Sequence, residues 1–220
     1  MGLEQEPVAI ELPLILFVEG QDEVKVFARL LTDLGREHEI QVINAGGRDR
    51  FKTAFPGYVL QEGFRRVTSL AVVQDADEGV APRFQSISNV LQKYDLPVPA
   101  GAGQFADHEG RRTGVYLLPD NVRAGCLEDL FLESMSDAGF RAYVTQYVDG
   151  LPGILQVLPV GHPRVPATFY VPRRPAKAKA LAALAGTEDP VNRLGLAAEQ
   201  HYWNFGHVAF DALRGFLQQL

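Results

Sequence analysis

The stretch that decides the fold is LILFVEG, residues 14–20, near the start of the chain. Its first five residues are all apolar, which is typical of a β-strand that is buried on both faces of a sheet. Glu19 and Gly20 end this strand, and from Val24 onward the apolar residues recur at helical spacing until Gly35. The stretch therefore predicts a βα unit with a carboxylate at the carboxyl end of its strand.

The same alternation of strand and helix continues through the first half of the chain. Apolar runs at 40–43, 70–73 and 114–118 predict three further strands, with helical spacing after the first two. Strands that alternate with helices indicate an α/β fold, here a four-stranded, mainly parallel sheet flanked by helices. We expect residues 1–135 to form this core and residues 136–220 to form a helical C-terminal extension packed on it, within one structural domain. The helices predicted after the fourth strand cover 127–134, 140–151, 175–185 and 208–220.

Composition excludes several classes of protein. A single cysteine, Cys126, rules out an intramolecular disulfide and a zinc ribbon. The net charge of −6 rules out a broadly basic nucleic-acid coat, although a local basic patch remains compatible with it. The apolar run at 12–18 is too short to span a membrane and has no basic residues before it, so we expect neither an anchor nor a signal peptide. The expected location is the cytoplasm.

Two groups of acidic residues follow predicted strands. Glu19 ends the first strand, with Glu23 in the first turn of the next helix, and Asp75-Ala76-Asp77 ends the third strand. Because the carboxyl ends of parallel strands meet at one edge of a sheet, we expect these acids to converge there. Asp75 and Asp77 lie on the same side if the extended geometry persists, and paired carboxylates suit a hard cation such as Mg²⁺. The alternative is that these acids are helix caps and a solvated turn.

This combination of acids resembles the TOPRIM domain shared by topoisomerases, primases, small ribosomal-RNA maturation nucleases and the OLD (overcoming lysogenization defect) nucleases. The family motif is a glutamate after the first strand and an Asp-x-Asp after the third, which are Glu19 and residues 75–77 here. The resemblance extends to 114–121, to 125–129 and to the segment around Trp203, so it covers most of the chain. The chain looks closest to an uncharacterised group of stand-alone bacterial and archaeal TOPRIM-like proteins, related to the OLD-type domains.

The resemblance implies a function as well as a fold of four parallel strands flanked by helices. It implies Mg²⁺- or Mn²⁺-dependent chemistry on the phosphodiester bonds of nucleic acid, DNA or RNA, most simply hydrolysis. Glu19 would also act as general acid or base, and Glu23 and Glu128 would assist a second ion. For Glu128 and its neighbour Asp129 the alternative is that they complement a helix dipole. The metal-binding set that the resemblance implies is Glu19, Glu23, Asp75, Asp77, Glu128 and Asp129.

Basic residues are concentrated in one part of this acidic protein. The resemblance implies a cation that neutralises transition-state charge, and Lys177 and Lys179 are the catalytic candidates; the alternative is an exposed helix face. Residues 153–187 contain no acidic residue at all, so this stretch is where a phosphate backbone would bind. The alternative there is a solubilising face around a proline-rich loop. The candidate nucleic-acid contacts are Arg164, Arg173, Arg174 and Lys177.

The sequence also departs from the branches of the TOPRIM family. The length leaves no room for the separate domain that carries a topoisomerase tyrosine, and one cysteine excludes the usual zinc domain of primases. No Gly-x-x-x-x-Gly-Lys-Ser/Thr loop is present, so an ATPase partner would be another chain. Two other functions stay open: a non-catalytic module that binds nucleic acid or a protein partner with a structural metal site, and a phosphotransfer enzyme that acts on nucleotides.

Overall fold

The computed structural model describes residues 8–47, 50–157 and 172–220. The strands are β1 (Leu14–Val18), β2 (Ile40–Asn44), β3 (Ser69–Asp75), β4 (Gln104–His108) and β5 (Arg111–Leu118). The α-helices are α1 (Gln21–Asp33), α2 (Phe51–Val59), α3 (Val80–Lys93), α4 (Leu127–Ser134), α5 (Ala138–Val157), α6 (Pro175–Leu184), α7 (Leu194–Glu199) and α8 (Asp211–Gln219). Short 3₁₀ turns cover Glu62–Arg66 and Val208–Phe210. No helix in these described residues is long and apolar enough to cross a membrane.

The five strands form one mixed sheet in the order β2-β1-β3-β5-β4. β1 pairs in parallel with β2 on one side and with β3 on the other, and β5 continues the parallel part beside β3. The register sets Phe17 opposite both Ile43 and Val72, and Asp75 opposite Leu118. The carboxyl ends of the four parallel strands therefore share one edge of the sheet, as expected for an α/β fold.

The fifth strand corrects the predicted strand count. β4 runs antiparallel to β5 and is joined to it by Glu109 and Gly110, whose φ angles of 47° and 77° are typical of a two-residue hairpin turn. β4 lies at the edge of the sheet, and most of its side chains are exposed or only half-buried, so it has no apolar run that would predict it. Gly114 of β5 makes room for Phe105 of β4, because a Cβ at Gly114 would overlap that ring.

Helices cover both faces of the sheet, and the apolar runs of the strands supply both layers. Ile15 and Phe17 of β1 face α2 and α3, where Phe17 contacts the rings of three aromatic residues of α2. Leu16 and Val18 face the other way, toward a core shared with α1, α4, α6, α7 and α8. Alternate residues of a strand point to opposite faces, so a strand between two helical layers is apolar throughout.

The C-terminal helices are anchored to the start of the chain. α7, which the sequence did not predict, packs against α1, and a Cβ at Gly195 would come within 3.1 Å of Lys25 and Asp22 side-chain atoms. Trp203 donates a hydrogen bond from its indole nitrogen to the carbonyl of Leu194 at 3.0 Å. This packing holds α6 and α7 beside the sheet edge at which α1 and α4 begin.

Candidate functional site

The strand ends that carry the predicted acids are fixed by backbone hydrogen bonds. The amide of Gly47, after β2, donates to the carbonyl of Glu19 at 2.7 Å. The amide of Ala76, directly after Asp75, donates to the carbonyl of Leu118 at 3.0 Å. Because β1 and β3 are neighbours in parallel register, Glu19 and Asp75 follow adjacent strands at the same edge of the sheet.

Glu23 folds back over the first turn of α1. A Cβ at Gly20 would lie 2.9 Å from Oε2 of Glu23, so the glycine leaves space for this carboxylate. Glu23 accepts a hydrogen bond from its own backbone amide, which favours the ionised form. Burial outweighs this bond and raises the pKa of Glu23 to about 6, and the charges of Glu19, Glu128 and Asp22 add to the rise.

Asp75 lies where β3 meets α4. Its Oδ1 accepts a hydrogen bond from the backbone amide of Leu127, the first residue of α4, at 2.9 Å. Burial raises the pKa of Asp75 well above the usual range of an aspartate, and the charges of Glu19, Glu128 and Glu23 raise it further. The bond from Leu127 opposes this rise without cancelling it.

Glu128 completes the group from the first turn of α4. Its side chain is 14% exposed, and the ammonium of Lys177 on α6 lies 3.9 Å from its Oε1. We call Glu19, Glu23, Asp75 and Glu128 the edge acids. Burial is the main cause of the raised pKa of Glu23 and Asp75, and the charges of the other edge acids add to it, so these four side chains lie near one another at one sheet edge.

Asp77 is held differently, by a residue that sequence reasoning missed. Its φ of 49° breaks the extended geometry after β3, so Asp75 and Asp77 do not simply alternate along a strand. The Oδ2 of Asp77 accepts a hydrogen bond from the guanidinium of Arg83 in the first turn of α3 at 3.0 Å. Arg83 is only 13% exposed, and its Nε is buried without an acceptor in the part of the chain that the structure describes. An arginine six residues after an aspartate is too common a spacing to have signalled this pair.

Asp129 caps the N-terminus of its own helix, α4. Its Oδ2 accepts hydrogen bonds from the amide of Cys126 at 2.9 Å and from the thiol of Cys126 at 3.3 Å, which caps the start of α4. Burial raises the pKa of that thiol, and the charges of Glu128, Asp75 and Asp129 raise it further. Metal ligation by Asp129 stays a prediction. In the structure its carboxylate binds the first turn of its own helix, a position in which it also complements the helix dipole.

The two candidate lysines differ in their surroundings. Lys177 lies beside Glu128, as described above, whereas the ammonium of Lys179 pairs with Asp149 of α5 at 2.9 Å. Lys179 therefore holds α6 to α5, and Lys177 is the lysine that reaches the edge acids.

The other candidate cations precede α6. Arg173 and Arg174 are both exposed, and Lys177 follows in the first turn of the helix. We call Arg173, Arg174 and Lys177 the basic segment. Arg164 lies outside the described residues.

The edge acids offer the right donor chemistry for a hard cation. In residues 8–47, 50–157 and 172–220, no three His, Cys, Asp or Glu side chains form a group that could hold a metal ion as they stand. Mg²⁺, however, is commonly bound by one or two carboxylates and several waters, all of them oxygen ligands. Glu23 and Asp75 fit that requirement, because their carboxylates are crowded by other negative charges.

Comparisons with known proteins identify the family and a distant structural likeness. The family model described as "Protein of unknown function (DUF3226)" matches residues 13–220. Two structures of the C-terminal region of the OLD protein of Xanthomonas campestris pv. campestris, one phased with mercury and one with platinum, are 16% and 15% identical to this chain. They cover 94% and 95% of this chain and 98% of their own, with TM-scores of 0.37 and 0.35. No curated protein matches. Likeness this distant leaves the function to be argued from the site.

Proposed function

The chain belongs to the DUF3226 family, whose description assigns no function, and we propose that it hydrolyses phosphodiester bonds of nucleic acid with the help of Mg²⁺ or Mn²⁺. The observation that carries this proposal is the burial of Glu23 and Asp75 beside the other edge acids. Burial raises the pKa of both carboxyl groups, and the charges of the neighbouring acids raise it further. Burying like charges together costs free energy, so such a group is typical of a functional site rather than of a stability centre. A divalent cation would offset the repulsion.

The motif supports the same proposal. Glu19 and the Asp75-Ala76-Asp77 sequence match the TOPRIM pattern, and the strands that carry them are adjacent and parallel. In our proposal Glu19, Asp75 and Asp77 would hold the first cation, and Glu23 and Glu128 would hold a second. Asp77 would exchange its hydrogen bond from Arg83 for the cation.

The bound cation would supply Lewis-acid stabilisation of the scissile phosphate and a more acidic water. In the same proposal Glu19, which follows β1, takes or returns a proton, and Lys177, which lies beside Glu128, neutralises charge on the phosphate. The basic segment then binds the phosphate backbone outside the site.

The proposal is tested by replacing Asp75 with asparagine. Asp75→Asn keeps an oxygen that can accept the bond from Leu127 but removes the charge that binds the cation. We expect cleavage of a labelled oligonucleotide or plasmid in Mg²⁺ or Mn²⁺, no cleavage in EDTA, and a loss of at least about 100-fold in the variant. The matched control is Asp95→Asn, because Asp95 is exposed and its φ of 54° is one that asparagine tolerates.

The outcomes of this test separate the alternatives. Cleavage by Asp75→Asn at the parental rate would contradict the proposal. Cation binding without cleavage of any polymer would favour the non-catalytic module. Turnover of nucleotides but not of polymers would favour the phosphotransfer enzyme.

A further inference from the structure

A cavity of about 170 Å³ lies next to the edge acids, between the first turns of α1 and α4 and the helices α6 and α7. Glu128 and Lys177 line it on the side of the acids, and Arg193 and Asn192 line it just before α7. The side chains of Leu181 and Leu194 add an apolar wall. Glu128 is thus shared by the cavity and the edge acids.

The size of the cavity limits what it can hold. A protein cavity of roughly 150 Å³ accommodates one benzene ring, so the space here fits one sugar or base ring. Two paired strands do not fit. A single nucleotide ring fills the space, which suits the terminal nucleotide of a strand.

The lining matches the parts of a nucleotide. Two cations, Lys177 and Arg193, offset the carboxylates of Asp22 and Glu128 in the lining and suit a phosphate. Arg193 is exposed and carries no ion pair in the described residues. The apolar wall suits the face of a ring, and the amide of Asn192 can both donate and accept hydrogen bonds to ring substituents. Lys177 contacts both the edge acids and the cavity, because its ammonium lies 3.9 Å from Glu128 and the residue also lines the cavity.

We propose that this cavity binds the terminal nucleotide of a nucleic-acid strand, with the ring inside and its phosphate between Lys177 and the edge acids. This inference rests on the proposed function and narrows it, because the protein would act on strand ends. Linear single strands are then substrates that release mononucleotides, and covalently closed circles of the same sequence resist.

The test uses the full chain and two kinds of readout. The first is the dissociation constant of a nucleoside 5′-monophosphate, measured by calorimetry in Ca²⁺, for the parent and for Arg193→Ala. We expect at least a tenfold weakening in this variant, and none in Arg66→Ala, which removes an exposed arginine on the 3₁₀ turn at Glu62–Arg66. A second variant, Asn192→Trp, fills the cavity and is expected to abolish nucleotide binding, and circular dichroism checks that both variants are folded.

The second readout compares cleavage of a linear oligonucleotide with that of the closed circle. A rate on the circle equal to that on the linear strand, or an unchanged dissociation constant in Arg193→Ala, would overturn the inference while leaving the proposed hydrolysis intact. Nucleotide binding that depends on Arg193 without cleavage of either polymer would support the cavity assignment and reject the proposed hydrolysis.

Discussion

Replacing Glu23 with glutamine tests whether burial beside the other edge acids destabilises the ionised form of this side chain. The pKa of Glu23 rises from 4.5 to about 6 in the folded protein, and a change of this size corresponds to roughly 2 kcal/mol. Because the folded-state pKa of this acid is raised, ionised Glu23 destabilises the fold. The penalty is absent below pH 4.5, where both states are protonated, grows between pH 4.5 and 6, and is complete above pH 6.

Glu23→Gln should therefore be more stable than the parent at pH 8 by up to about 2 kcal/mol, measured without divalent cations. In a chain of this length such a gain raises the melting temperature by roughly 4–8 °C. The assay is thermal and urea unfolding in EDTA at pH 8 and at pH 4.5, where the gain should vanish. The control is Glu188→Gln, an exposed glutamate between α6 and α7, for which no gain is expected.

Two results would contradict a destabilising Glu23 carboxylate. One is a variant that is no more stable than the parent at pH 8, since burial and neighbouring charges would then impose no net cost on the ionised form. The other is an equal gain at both pH values, which would show that glutamine packs better than glutamate for reasons unrelated to charge.

Three further predictions concern the packing of the edge strand β4, the pair formed by Asp77 and Arg83, and nucleic-acid binding. Gly114→Ala should lower the free energy of unfolding, measured in urea, by about 1–3 kcal/mol, because the new methyl group collides with the ring of Phe105. Adding Phe105→Leu should recover part of this loss. Full stability of the Gly114→Ala variant would contradict the packing of the two strands. Arg83→Met should lower the free energy of unfolding by roughly 1–2 kcal/mol, because it removes the partner of Asp77. A double-mutant cycle with Asp77→Asn should show coupling between the two residues. Additive effects would mean that the pair contributes nothing to stability. Alanine at all three positions of the basic segment should weaken oligonucleotide binding and flatten its salt dependence by roughly one phosphate contact per residue. Fluorescence titration at several salt concentrations measures the affinity and its dependence on salt. An unchanged salt dependence would identify the segment as a solubilising face.

The elements with strong apolar patterns were predictable from the sequence. The run before Glu19 predicted β1 because a strand between two helical layers must be apolar on both sides, and α4 follows the predicted bounds at 127–134. β4 was not predictable in this way, because an edge strand with exposed side chains carries no apolar run. The short helix α7 was missed for another reason: it contains Gly195, which is a poor helix former that is present here for close packing against α1.

The candidate site was predictable as a set of residue types but not as a set of contacts. The parallel strands placed Glu19 and Asp75 at one edge, as the alternation of strands and helices required. The sequence could not show that Asp77 turns toward Arg83, since a single positive φ decides this. The resemblance favoured Glu128 over its neighbour Asp129, but the residues alone did not, because both occupy the first turn of α4 and only the tertiary structure shows that Glu128 faces the other acids.

Metal binding by the edge acids is tested most directly by the anomalous difference density of a crystal soaked in Mn²⁺. We expect a peak at the carboxyl edge of the sheet, with carboxylate oxygens of Asp75 and of at least one other edge acid at about 2.0–2.3 Å from the ion. A crystal of Asp75→Asn soaked in the same way should lack this peak. Mn²⁺ bound only elsewhere on the protein, or an equal peak in the variant, would contradict the assignment of this edge as the metal site.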